Sequence, residues 1–107
     1  MNRYDVYWAK LDPVVGSELA KTRPVVIVSM DELNSALATV TVCPLTSQLH
    51  DGWRSRLRII CAGKVADIAV DHIRAISKKR LVKKMDALTA SEAAALRRII
   101  TEMYGEE

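Results

Sequence analysis

Gly16-Ser17-Glu18-Leu19-Ala20-Lys21-Thr22-Arg23-Pro24-Val25-Val26-Ile27-Val28-Ser29 sets a polar, charged loop directly against a β-branched run, with an arginine at the junction. An unbroken apolar run of this kind suits a central strand covered on both faces. Its junction with the loop, where a fixed strand meets an adaptable segment, is where chemistry is expected. The arrangement recurs where Val40-Thr41-Val42-Cys43 runs into Pro44-Leu45-Thr46-Ser47. Two strands that end in this way can bring Arg23 and the Thr46 and Ser47 hydroxyls to one anionic ligand.

The rest of the chain fits around these strands as one domain, 1–107, since 107 residues leave no length for a second core. Hydrophobic residues make up 50% of the chain, which argues against disorder. Charges interrupt every apolar run well before the roughly 18 residues of a membrane span, so a soluble protein with no membrane partner is expected. Met1-Asn2-Arg3-Tyr4-Asp5 enters an alternating strand pattern without the apolar core of a signal peptide, and residence in the cytoplasm is expected. Cys43 and Cys61 lack CxxC spacing and read as free, buried thiols.

Tyr4, Val6 and Trp8 alternate with Arg3, Asp5 and Tyr7, as in a first strand with one buried face. The loop from Leu11 to Thr22, with Pro13 and Gly16, is longer than most connections, and such loops often carry function. Met30 to Ser35 reads as a short helical turn capped by Ser29, with Glu32 three residues on. A third strand covers Thr39 to Leu45, with Pro44 removing a ladder donor near its end. Residues 54 to 60, 64 to 67 and 69 to 76 read as further strands, and Leu81 to Lys84 as a last short one. Thr89-Ala90-Ser91-Glu92 is a capping box, and Ala93, Leu96, Ile99, Ile100 and Met103 form one helical stripe closed by Gly105. The stripe reads as core, with Tyr104 and the helix edges open to a subunit contact. The class is mainly β with helices (α+β): a small, barrel-like, mostly antiparallel sheet with a C-terminal helix.

The net charge of +3 arises in the second half. Residues 1 to 50 hold four Lys/Arg and five Asp/Glu, whereas 51 to 107 hold twelve and eight. From Arg74 to Lys84 there are six cations (Arg74, Lys78, Lys79, Arg80, Lys83 and Lys84) and no acid. That run suits a polyanion, or else a solvated turn. Arg54, Arg56 and Arg58 share a face at period 2, so they await either phosphate or acids across the sheet.

Gly16-Ser17-Glu18, Lys21-Thr22-Arg23-Pro24-Val25-Val26, Pro44-Leu45-Thr46-Ser47 and Asp71-His72-Ile73-Arg74, in this order and spacing, resemble the MazF/PemK family, the toxin halves of bacterial toxin-antitoxin pairs. The resemblance covers nearly the whole chain, from Tyr4-Asp5-Val6-Tyr7-Trp8 through Leu11-Asp12-Pro13 to the closing helix. It implies a compact SH3-like, CcdB-like β-barrel and a homodimer. It also implies a metal-independent endoribonuclease, without cofactor, that cuts single-stranded messenger RNA at short sequences. Cleavage by the 2′-hydroxyl beside the scissile phosphate leaves 5′-hydroxyl ends. A cognate antitoxin would inhibit by laying an extended acidic segment over the basic groove, which the cations from Arg74 to Lys84 would suit. The chain has no HExxH, no CxxC and no carboxylates at ligand spacing, consistent with a reaction that needs no metal. A non-enzymatic poison of DNA gyrase, as CcdB-type proteins are, or a basic RNA-binding module without cleavage, are the other readings. Arg23-Pro24 and the Pro44-Leu45-Thr46-Ser47 run favour the nuclease.

The resemblance carries Arg23 over as the first catalytic candidate. A guanidinium stays protonated and offers a planar fork to phosphate oxygens, so it stabilises the phosphorane, with donation to the leaving oxygen a further role. Thr46, carried over likewise, would donate to a non-bridging oxygen with Ser47 assisting. Glu18 is a candidate proton acceptor or an orienter of Arg23. His72 departs from the family's usual glutamine, and a histidine can exchange a proton near neutral pH or simply read a base. For binding RNA the candidates are Ser17, Lys21, Ser47, Gln48, Trp53, Arg54, Arg56, Arg74, Lys78 and Lys79. Trp53 can stack on a base or be structural, and His50 reads as a surface residue within reach of bases.

Overall fold

The computed structural model describes residues 1–11 and 22–105. The loop expected from Leu11 to Thr22 lies outside the described residues except for its two ends, and with it Ser17, Glu18 and Lys21. The elements in order are β1 (Asp5–Lys10), β2 (Thr22–Ile27), α1 (Asp31–Ala36), β3 (Thr39–Thr46), β4 (Arg56–Cys61), β5 (Lys64–Ala69), β6 (Arg74–Ser77), β7 (Leu81–Ala87) and α2 (Ala90–Tyr104). The strands form a sheet in the order β4-β5-β3-β2-β1-β7, with β6 also on β3. Every described pairing is antiparallel, so the expected mainly β architecture with a C-terminal helix holds. The ladder is not closed between β4 and β7. Asp86 of β7 bridges that gap, accepting from the backbone N–H of Ala62 at 3.1 Å. Ala62 and Gly63 form the two-residue β4–β5 turn with φ of 50° and 80°, a primed hairpin turn in which the glycine meets no steric cost.

Two cores share β1, β2 and β3. Val25 and Ile27 face Ala9, Val40, Val42 and Ile76 in one. The neighbouring Val26 and Val28 face the other, which β4, β5 and α2 cover with Ile59, Ile68 and Leu96. The β-branched run is thus the covered central strand its composition predicts. The capping box forms as expected, with Thr89 Oγ1 accepting from the Glu92 N–H at 3.2 Å and Glu92 accepting from the Thr89 N–H at 2.9 Å. Ala93 and Leu96 are buried, Ile99 and Ile100 pack on the core edge, and Met103 at the end of the stripe is exposed.

Four expectations need correction. The first strand is covered on both faces: Ala9 is buried, Asp5 is buried with its carboxylate taking the Asn2 N–H and Lys84 Nζ, and Trp8 is 37% exposed. Period-2 reading assumed one core where there are two. Ser29 does not cap the short helix; Met30 holds that place without a side-chain bond, and the Ser29 hydroxyl instead donates to Asn34 Oδ1 and accepts the Thr41 N–H. The last strand is longer than Leu81 to Lys84, because its pairing with β1 continues to Ala87 opposite Asp5.

The fourth correction concerns residues 69 to 76, which are not one strand. β5 and β6 lie in line on the same edge of β3, with Ile68 opposite Leu45 and Arg74 opposite Val42. Five residues, 69–73, therefore run past two, Cys43 and Pro44, and the surplus of three is turned out as a 3-10 turn over Val70–His72. The Thr41 carbonyl accepts from the N–H of Val28, just past β2, so by alternation Pro44 turns its nitrogen to the β5/β6 edge, where the ladder is broken. The missing N–H of proline has no partner to disappoint there.

Asp67 of β5 is buried and receives Arg58 Nε at 2.9 Å and the His50 N–H at 2.8 Å. The Arg58 bond foremost, against opposing burial and helped by the His50 bond, holds its carboxyl below the ordinary value. A depressed folded-state pKa stabilises the fold above the unfolded-state value and loses that contribution as the pH falls through the folded one. In urea unfolding at a series of acidic pH values, Asp67→Asn is accordingly expected to show a shallower acid fall than wild type. An unchanged slope would refute the linkage. Leu96 is fully buried beneath the sheet, and Leu96→Ala is expected to lower unfolding free energy by roughly 2–5 kcal/mol in the same assay.

Candidate functional site

The register between β2 and β3 sets Val25 opposite Pro44, and two residues further on it brings Arg23 beside Thr46. The two strand ends picked out in the sequence do converge. The 3-10 turn, anchored by buried Val70, offers Asp71 and His72 on its outer side. Three bonds hold Val70: its N–H donates to Ser55 O at 3.0 Å, and its carbonyl accepts the Ile73 N–H at 3.1 Å and the Tyr104 hydroxyl at 3.0 Å. A cleft of about 520 Å³ lies between, lined by Arg23, Thr46, Gln48, Arg56, His72 and Arg74 among others. Six of the candidate residues thus share one hollow.

Within the cleft one carboxylate, Asp71, engages Arg56 and His72. Asp71 takes Arg56 through both oxygens, at 2.8 Å and 3.3 Å, and its Oδ2 is 3.3 Å from His72 Nε2. Burial pushes the Asp71 carboxyl up, but the Arg56 and backbone bonds outweigh this and hold it below its ordinary value. The Arg56 side chain is only 8% exposed and lies over the Trp53 ring, 5.0 Å from its centre. Arg23 and Arg74 are exposed and have no ionic or hydrogen-bonding partner among the described residues. Thr46 Oγ1 accepts the Gln48 N–H at 3.1 Å, which leaves its own hydrogen to donate.

The other candidates fall elsewhere. Ser47 borders a second hollow of about 290 Å³ that meets the cleft at Arg23 and Thr46. Trp53 and Arg54 lie by a third depression next to α2, where Arg54 is 3.7 Å from Glu102 and Trp53 is stacked on His50 at 3.7 Å. Lys78 and Lys79 sit on a 3-10 turn between β6 and β7 and line none of these hollows. Neighbouring Arg80 donates to the carbonyls of Lys10 and Leu11, so the cationic run is divided among several places. Of the alternating arginines, Arg56 and Arg58 pair with acids and Arg54 precedes the strand. Asp71 was not singled out by the sequence; an acid beside an out-of-place histidine was the available signal. Burial, with Asp71 nearby, pushes the Cys43 thiol up to about 12, and burial likewise raises Cys61, so both remain protonated packing groups. Among the described residues no three His, Cys, Asp or Glu side chains gather as a metal site. No helix there is long and apolar enough to cross a membrane.

Comparison with known proteins places this geometry. The Endoribonuclease MazF of Staphylococcus saprophyticus is 34% identical over 97 residues, covering 83% of this chain and 78% of its own. That of Staphylococcus epidermidis is 33% identical over 100 residues, covering 86% and 81%. In three dimensions the chain is similar to an endoribonuclease from a mycobacterial species, solved in complex with its cognate antitoxin. The TM-score is 0.82 at 18% identity, over 100% of this chain and 97% of the other, a likeness of fold. The pattern of the PemK-like, MazF-like toxins of type II toxin-antitoxin systems matches residues 2–104, and the chain belongs to that family.

Proposed function

We propose that this chain, acting as one domain, is a cytoplasmic endoribonuclease toxin that cuts single-stranded messenger RNA selectively by sequence, without a metal. The observation that supports this most is the meeting of Arg23 and Thr46 at one cleft whose free charges are cationic. The 2′-oxygen attacks the adjacent phosphorus as its proton leaves. The bond from phosphorus to the 5′-oxygen breaks, and that oxygen takes a proton, giving a cyclic phosphate and a 5′-hydroxyl end. Arg23 stabilises the charge on the phosphorane, and the Thr46 hydroxyl donates to a non-bridging oxygen. The group that takes the 2′ proton is open among Glu18, His72 and Arg23.

Gln48, Arg56 and Arg74 would hold the nucleotides in the cleft, while Ser17, Lys21, Ser47, Trp53, Arg54, Lys78 and Lys79 would meet flanking ones. A homodimer and an antitoxin whose extended acidic segment covers the cationic cleft complete the reading; complexes with antitoxins are known for chains of this fold.

With a long unstructured RNA in EDTA, recurrent cuts with 5′-hydroxyl ends are expected, and Arg23→Ala should slow them about 100- to 1,000-fold. Intact RNA with a folded wild-type protein would instead favour a gyrase poison or a binding module. His72→Gln is expected to lower the rate at least about tenfold and to change the shape of the pH–rate profile. A full rate with the same profile would exclude proton transfer by His72.

A further inference from the structure

Trp8 lies in β1, where its fellow residues Val6 and Ala9 are sealed in the two cores, yet its indole is 37% exposed. It faces the hollow of about 290 Å³ that shares Arg23 and Thr46 with the cleft, from the opposite side of those two residues. Pro24, Val65 and Met85 supply apolar walls, and Lys64 stands on its border. Lys83 is directly opposite Trp8 across the β1–β7 ladder. Among the described residues no carboxylate lines this hollow, in contrast to the cleft, where Asp71 does. An aromatic face, apolar walls and cations at the rim together match a flat, uncharged ring carried on a phosphate chain. A nucleobase fits such a volume, whereas an acidic peptide would match the cations but have no use for the indole face.

We infer that this hollow is a nucleobase subsite, in which a base next to the scissile phosphate stacks on Trp8 while Lys64 and Lys83 hold its backbone. The inference rests on the endoribonuclease reading. It makes Trp8 a residue of substrate affinity and sequence preference, apart from the groups that move charge or protons.

The test uses an oligoribonucleotide with one cut site mapped with the wild-type protein, and its analogue with a 2′-deoxy nucleotide at the cut. Trp8→Ala should raise KM about 5- to 150-fold, the loss of one stacked base, with kcat little changed. Trp8→Phe should recover most of that loss. In a Trp53→Phe background, binding of the uncut analogue should quench the fluorescence of Trp8. That measurement keeps Trp8 in place and is decisive even if Trp8→Ala misfolds. A folded Trp8→Ala protein with wild-type KM and cut sites, or fluorescence unmoved by the analogue at concentrations where the Trp53→Phe protein binds it, would overturn the subsite. If the wild-type protein binds and cuts no RNA, the endoribonuclease reading falls and the subsite with it.

Discussion

The break in the ladder opposite Pro44 is the constraint on which the rest of the site depends. β3 offers one edge to both β5 and β6, and the connecting chain is three residues too long for the span it must cross. A regular strand would have paired those residues and pointed them alternately into two cores. The surplus leaves the ladder as a turn that keeps Val70 in the core and sets Asp71 and His72 on its outer side. Proline makes the break tolerable, since a residue with an N–H at that place would lack a ladder acceptor.

Acids then decide which cations are left for a ligand. Asp67 and Asp51 take Arg58, and Asp71 takes Arg56. Both arginines stand on β4: Asp67 ties Arg58 to β5 and, through the His50 N–H, holds the loop after β3, while Asp51 lies in that loop and Asp71 in the 3-10 turn. Arg58 and Arg56 thus have part of their hydrogen-bonding capacity already spent on carboxylates. Arg23 and Arg74, on the other strands, meet no such acid among the described residues, and a phosphate would find their hydrogen-bonding capacity unspent.

What could be read from the chain beforehand follows from what each element depends on. The Val25–Ile27 strand and the Thr89–Glu92 cap are fixed by neighbours in sequence, and both came out as their residues predict. The convergence of Arg23 and Thr46 was legible too, because it needs only two adjacent antiparallel strands of known ends. Trp8, Ser29 and the 69–76 segment were misread for a common reason. Each depends on a partner that the local pattern does not specify: a second core behind β1, the Asn34 side chain and Thr41 N–H, and the count of residues along β3. Alternation within a strand carries no information about a surplus opposite it. The arginine stripe shows the same limit, since spacing located its face but not the acids waiting there.

Both faces of β2 and β3 are sealed along their middles, so a ligand can touch the two faces together where the strands end. Arg23 and Thr46 stand at that end, and the hollows on their two sides differ in kind. One holds Gln48, His72 and Arg74 around a paired carboxylate; the other holds Trp8 and Val65 with Lys64 beside them. A nucleic acid strand lying across the pair would meet polar, proton-exchanging groups on one side and a stacking surface on the other. Under the proposed function such a site would not be symmetric under reversal of the strand, and one direction would present the 2′-hydroxyl to the side that bears His72. In the reading proposed, the asymmetry between the two faces of one sheet is therefore what would fix the bond that is cut.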